Sequence, residues 1–351
     1  FVQLENLDAR TSPISQVLTR MSTPLHLLVS SAGRRVELMR CFRQDAARLG
    51  VPLKVVAVDA CPQWSAACQE ADAFYRVPPC TEPEFTDRLL EVVKREQIQM
   101  ILPTIDTELI VYAEHRERFA SEGIHVEISD PAFVRMTRDK LETMRFLASR
   151  SIPVPETLPY PEFLENPDSL GFPVLLKPRG GSSSSGIFRI RHSQELKALP
   201  ALENYLAQAC WEGAEYTVNQ FFDQQGRLIA AVPHRRIEVR QGEVSKARTE
   251  LQPELLQAAR QIASAAKGIR GPICFQAMCR EDGQFCLFEI NARIGGGYPV
   301  AHAAGARFTE WMLKEWLQHS LQPCDTWEPG WCMLRYDASF TVRDHEESTE
   351  P

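Results

Sequence analysis

The sequence predicts a mixed fold, α/β in its first part and α+β beyond it, and three observations carry that reading. From Leu25 onward, short apolar runs alternate with helical stretches, the pattern of a parallel sheet with crossover helices. Past Ile152-Pro153-Val154-Pro155 the periodicity switches to two, as in antiparallel strands. Asp282-Gly283 then stands between two strand-like runs, the strongest short-range signal of a two-residue hairpin turn. At 351 residues the chain is long enough for two or three domains that share interfaces.

Taken in order, Leu25–Val29 reads as a strand, Ser30-Ser31-Ala32-Gly33 as a turn, and Arg34–Leu49 as a helix with Val36, Leu38, Met39 and Phe42 on its apolar face. Leu53–Val58 is a second strand ending at Asp59, Phe85–Arg95 a helix, and Met100–Leu102 a strand whose polar exit is Pro103-Thr104-Ile105-Asp106. Polar residues at the ends of parallel strands place a site along that edge. The first turn lacks the G-x-G-x-x-G spacing, which argues against nicotinamide binding. Pro131 behind Asp130 starts a further helix that carries Asp139-Lys140. Strands follow at Phe172–Lys177, Ile187–Arg191, Tyr205–Trp211, Tyr216–Phe222, Leu228–Val239 and within Ile273–Ile290. Helices fall at Glu254–Lys267 and Phe308–Leu317, and Met333–Val342 reads as a last strand before an acidic tail.

Composition narrows the function. With 44% hydrophobic and 24% charged residues the chain reads as an ordinary soluble globular protein, and its net charge of −7 argues against a dedicated nucleic-acid binder. The ten cysteines show no CxxC pair or zinc spacing, as expected of reduced thiols in the cytoplasm. No apolar run approaches a bilayer span. Residues 1–20 have no apolar h-region and read as an appended or disordered tail rather than a signal peptide.

Two constellations carry chemistry. On the Asp282-Gly283 hairpin, Gln276 falls opposite Glu289, and Asn291 shares the face of Glu289 because strand side chains alternate. Three oxygen-bearing side chains on one patch suit a hard cation such as Mg²⁺, with Arg293 just beyond; the alternative is an ordinary buried strand with a polar exit. The second constellation is Lys177, which ends a strand before Pro178-Arg179-Gly180-Gly181-Ser182-Ser183-Ser184-Ser185-Gly186. A point charge beside a loop of small residues can cradle polyphosphate through backbone N–H groups. With no apolar anchor, residues 178–186 are expected to stand open without nucleotide. His234-Arg235-Arg236 could meet an anionic substrate or form a solvated face.

Glu289-x-Asn291-x-Arg293 followed by Gly295-Gly296-Gly297 resembles the metal-binding strand of the ATP-grasp superfamily, in its carbamoyl-phosphate-synthetase-like branch. There the first metal ligand is a Gln on the preceding strand, where Gln276 stands. Phe172-Pro173-Val174-Leu175-Leu176-Lys177-Pro178 resembles the strand that leads into the family's phosphate lid, which implies nucleotide contacts from Lys177, Ser182, Ser183, Ser184 and Gly186. Lys140 matches a second lysine near the nucleotide. Gln208-Ala209-Cys210-Trp211 matches the adenine segment, where Ala209 replaces the usual acid and leaves the contact to backbone groups; Trp211 could equally be core. Glu215 matches the ribose acid, and Lys246 a γ-phosphate contact.

The resemblance implies a Rossmann-like pre-ATP-grasp domain at 24–130 after a tail at 1–23, then two grasp subdomains at 131–207 and 208–325, and a C-terminal strand and tail at 326–351. It implies ATP and Mg²⁺ (or Mn²⁺) as cofactors, Gln276, Glu289 and Asn291 as metal ligands, Arg293 as the group that stabilises charge on the transferred phosphoryl, small-molecule carboxylate and amine substrates, and a homodimer. The implied reaction is ATP-dependent ligation through an acyl phosphate. The rivals are a kinase-like enzyme that releases an acyl or carboxy phosphate, and an ATP-binding regulatory protein with weakened catalysis.

Overall fold

A computed structural model describes residues 24–181 and 186–343. Residues 1–23, the lid serines and the acidic tail beyond Arg343 therefore lie outside the described residues.

The N-terminal part is a parallel five-stranded sheet in the order β3-β2-β1-β4-β5, formed by β1 (Leu25–Ser30), β2 (Leu53–Asp59), β3 (Ala73–Arg76), β4 (Met100–Pro103) and β5 (His125–Val126). β1 sits between two neighbours and is apolar along almost its whole length, because a central parallel strand is covered on both faces. Helices Val36–Leu49 and Phe85–Glu96 cover the sheet. The pairings put the exits of β1, β2 and β4 along one edge, as the polar strand ends indicate. The short edge strand β3 has no apolar alternation in sequence and emerges only from its pairing with β2.

Asp139 interrupts the single helix expected after Pro131. Pro131–Arg138 ends there, and Asp139 caps a second helix, Lys140–Ala148, by accepting from the N–H groups of Leu141 and Glu142. Asp130 does not cap with its side chain, which pairs with Arg116 instead. The break sets Lys140 at a helix start, facing the hairpin that follows.

Two antiparallel sheets make up the rest. The smaller holds β6 (Thr157–Pro159), β7 (Val174–Pro178), β8 (Phe188–Ile190) and β9 (Tyr205–Ala209) in the order β6-β9-β7-β8. The larger runs β14-β13-β10-β11-β12-β15, from β10 (Ala214–Phe222), β11 (Leu228–Arg240), β12 (Glu243–Thr249), β13 (Gly271–Cys279), β14 (Phe285–Asn291) and β15 (Cys332–Leu334). Helix Pro253–Ala265 packs Leu255, Ala258, Ala259 and Ile262 into a core shared with the N-terminal sheet. The last strand is much shorter than Met333–Val342, because β12 offers it only three partners, Lys246 to Arg248. A short helix at Tyr298–Ala303, unmarked in the sequence, carries the chain away from the glycines.

Candidate active site

The β13–β14 hairpin reaches the expected pairing by an unexpected route. Its turn is not a two-residue Asp282-Gly283 turn. Arg280 N–H donates to Gln284 O at 2.8 Å, leaving Glu281, Asp282 and Gly283 in a three-residue loop with Gly283 at φ +84°. The pairs Cys279–Phe285, Met278–Cys286 and Ala277–Leu287 follow, one step out of the expected register. A bulge then inserts Phe288, and Gln276 pairs with Glu289 after all. The bulge also lets Phe288 and Glu289 both face the cleft that Cys286 lines nearer the turn and Asn291 beyond. Gln276, Glu289 and Asn291 thus share one patch of cleft wall.

The donor set fits a hard cation. With its amide turned to satisfy both ends, Gln276 donates to Glu289 Oε2 at 2.8 Å and accepts from Arg236. Turned the other way, the amide oxygen faces the Glu289 carboxylate, a pairing that a cation between them would satisfy. Only one of the three residues is an acid, and among the described residues no group of three His, Cys, Asp or Glu side chains forms a metal cluster.

Two lysines converge on Glu289. Lys177, at the end of β7, is 5% exposed, and its ammonium lies 5.8 Å from the Phe288 ring centre. Burial pulls its pKa down to about 8; the Glu289 carboxylate opposes that shift and the Lys140 ammonium adds to it. Lys140 Nζ stands 3.9 Å from Glu289 Oε1 and donates to Gly181 O at 2.9 Å. Its pKa is also lowered, by burial first. One buried and one partly buried ammonium facing one carboxylate leave a local surplus of positive charge, which a polyphosphate would neutralise.

The adenine segment differs from expectation in detail. Gln208, Ala209 and Trp211 line the cleft, and Cys210 does not. The N–H groups of Ala209 and Cys210 already donate to the carbonyls of Glu156 and Pro173, so neither is a free adenine donor. Trp211 is not core. It lines the cleft under the Arg280 guanidinium, 4.0 Å from its ring centre. Leu175, Ile187 and Met278 complete an apolar wall. Glu215 lies opposite Met278 and 3.2 Å from Arg236 Nε; burial raises its pKa while Arg236 opposes the shift.

Lys246 is a correction. Its side chain points away from the cleft and pairs with Glu238 at 2.7 Å, because alternation along β12 sends Ser245, Ala247 and Thr249 inward and Lys246 and Arg248 out. Gly186 flanks the cleft at φ +71°, while Ser182, Ser183 and Ser184 lie outside the described residues.

The sequence reading named several cleft residues without their partners. Arg236 bridges Gln276 and Glu215, although its charge run also fitted a solvated face. Arg293 is held at 2.7 Å by Asp106 from the exit of β4. Burial alone would lower the Arg293 pKa, but Asp106 carries it above its ordinary value. The strand-exit rule had marked Asp106, without supplying its partner.

Comparison with known proteins agrees with this geometry. Residues 137–297 match the family described as ATP-grasp domain. The chain carries an ATP-grasp domain. Ahead of that domain, residues 27–127 match the family described as PylC-like, N-terminal domain. Formate-dependent phosphoribosylglycinamide formyltransferase of Bacillus velezensis is 27% identical over 175 residues, 48% of this chain and 40% of the relative. The chain therefore spans about two fifths of that enzyme. D-alanine–D-alanine ligase of Thermotoga maritima is 28% identical over 212 residues, 54% of this chain and 69% of the relative. The biotin carboxylase–β-γ-ATP complex from Campylobacter jejuni superposes with a TM-score of 0.68 at 15% identity, covering 86% of this chain and 73% of that one, a likeness of fold alone. Among the described residues, no helix is long and apolar enough to cross a membrane.

Proposed function

We propose that this protein is an ATP-dependent ligase that activates a carboxylate as an acyl phosphate for attack by an amine, releasing ADP and phosphate. The observation that carries the reading is the convergence of Lys177 and Lys140 on Glu289, in a cleft that Gln276, Asn291 and Arg293 also line. Adenine would lie against Met278, Leu175 and Ile187 near Trp211, with the ribose toward Glu215. Gln276, Glu289 and Asn291 would hold Mg²⁺, which when bound neutralises phosphate charge and orients the transferred group.

The chain's own residues do the rest. Lys177 and Lys140 hold the phosphates from the lid side, and Glu289 keeps both ammonium groups charged until nucleotide arrives. Arg293, fixed by Asp106, faces the phosphoryl group as it moves and stabilises its developing charge. Excluding water from this centre preserves the acyl phosphate for the amine. The ligases among the relatives support this reading.

ADP and phosphate release, measured with ATP, Mg²⁺ and a panel of amino acids, tests it. Release that depends on both a carboxylate and an amine is expected. Release without amine would replace the ligase by a kinase-like enzyme, and nucleotide binding without release would leave a regulator. Lys177→Met should weaken binding of an ATP analogue by about 1.5–3 kcal/mol, the cost of one charge-assisted phosphate contact. Unchanged affinity would remove Lys177 from the site.

A further inference from the structure

Beyond Arg293 the cleft meets a second charged cluster that the nucleotide reading leaves unused. Glu243, at the start of β12, lines the cleft wall between two guanidinium groups from distant parts of the chain. Arg35, in the turn after β1, lies 3.4 Å from Glu243 Oε1, and Arg335, just past β15, lies 3.7 Å from Oε2. Both distances exceed the roughly 2.7–2.9 Å of a charge-assisted hydrogen bond, so Glu243 bridges the pair loosely. Burial alone would raise the Glu243 pKa, yet Arg35, Arg335, Arg293 and Arg34 together hold it below the ordinary value.

Four guanidinium groups thus face two carboxylates, Glu243 and the Asp106 already committed to Arg293. Glu108, just behind, is engaged by Ser30, Ser31 and the N–H groups of Thr104 and Ile105, and adds no free acceptor. Position separates this surplus from the triphosphate. Arg293 lies past the end of the strand that carries Glu289, and Arg35 and Arg335 do not line the cleft around Lys177 and Lys140 but meet it through Glu243. Gly296 shapes the spot as well. A Cβ there would meet Glu243 Oε2 at 1.9 Å and Arg35 at 2.8 Å, and the Gly296 carbonyl accepts from Arg335.

We propose that Arg35 and Arg335 form a subsite for a non-reacting carboxylate of the substrate, with Glu243 as the internal anion that occupies it until substrate binds. The proposal rests on the ligase reading of the cleft and adds a substrate class, an amino acid or other compound that keeps a free carboxylate through the reaction. A carboxylate is favoured over a phosphate because a carboxylate already occupies the bridging position.

The test uses thermal shifts of the full chain with Mg·ADP and matched probes, namely amino acids, their carboxamides, dicarboxylates and inorganic phosphate. Acids should stabilise the protein and carboxamides should not. Arg335→Met should weaken the carboxylate effect about tenfold or more. Glu243→Gln should strengthen it, because the competing internal anion is gone; a purely structural role would make both variants weaker. The proposal is overturned if acids and carboxamides act alike, if inorganic phosphate outperforms every carboxylate, if Arg335→Met keeps the wild-type response, or if its affinity for Mg·ADP falls by the same factor. Failure of wild type to bind Mg·ADP would instead defeat the ligase reading. Tight Mg·ADP binding without carboxylate discrimination would defeat this subsite alone.

Discussion

Glu289 is the residue on which the site turns, and its surroundings change what its removal should do. By sequence it is one anion among polar neighbours, and losing its charge should cost the apo protein nothing. In the structure it is the principal counter-charge of Lys177 and stands beside Lys140. Glu289→Gln should therefore lower apo stability by about 1–3 kcal/mol, since a buried ammonium loses its partner. Mg²⁺-dependent ADP formation should fall by at least about 100-fold, the upper end of the loss when a metal site loses a supporting group. Urea midpoints and coupled ADP assays on one preparation report both. A variant that keeps its ADP formation while losing stability would make Glu289 a packing residue.

At the scale of elements, the hairpin shows how two local departures can cancel. Asp282-Gly283 correctly marks a turn, but the side chain of Asp282 accepts from Gln284 N–H and the loop takes a third residue. That step alone would put Gln276 opposite Phe288. The bulge restores Glu289 and adds Phe288 to the cleft wall. No residue type announces a bulge, so the correct pairing was legible in sequence while its path was not. Gly213, between the adenine segment and Glu215, is a second such joint. A Cβ there would sit 2.4 Å from the Cys279 carbonyl oxygen, a backbone atom of the neighbouring strand that cannot swing aside. Gly213→Ala should destabilise the chain by about 1–3 kcal/mol, and nucleotide affinity should fall with it as β10 is pushed from β13. Thermal melts with and without an ATP analogue would show this; an unchanged melting temperature would mean that the hairpin yields freely.

At the scale of the whole molecule, several contacts tie the N-terminal sheet to the grasp sheets, and two of them carry predictions. Asp106–Arg293 is one, with side chains 5% and 15% exposed. Asp106→Asn leaves a buried guanidinium without its carboxylate and should cost about 3 kcal/mol or more. Turnover should drop more than nucleotide affinity, because Arg293 loses its position and not its charge. Equal losses in both would place Asp106 in the nucleotide pocket itself. The other contact joins Glu315, on helix Phe308–Trp316, to the N–H of Gln224, near Glu127 and His125 at the end of the N-terminal sheet. Burial first, and the Glu127 carboxylate next, push the Glu315 carboxyl up from 4.5 to about 7. Between those values the folded chain holds a proton that the unfolded chain has released, so this contribution to stability is lost as pH rises through that window. Glu315→Gln should narrow the difference in melting temperature between pH 5 and pH 8. Identical pH profiles would exclude this coupling.

The sequence by itself determined the order of parallel then antiparallel sheets, because alternation and crossover spacing are local properties of the chain. It also determined the ends of β7 and β14, where Lys177 and Glu289-x-Asn291-x-Arg293 are spelled out in consecutive residues. Tertiary structure alone decided which of those groups meet. Asp106 and Arg293 are 187 residues apart, and Arg35, Glu243 and Arg335 come from three separate segments. Tertiary structure also turned Lys246 outward and Trp211 toward the cleft, since a side chain's face depends on the pairing of its strand, and that pairing is fixed by partners remote in sequence.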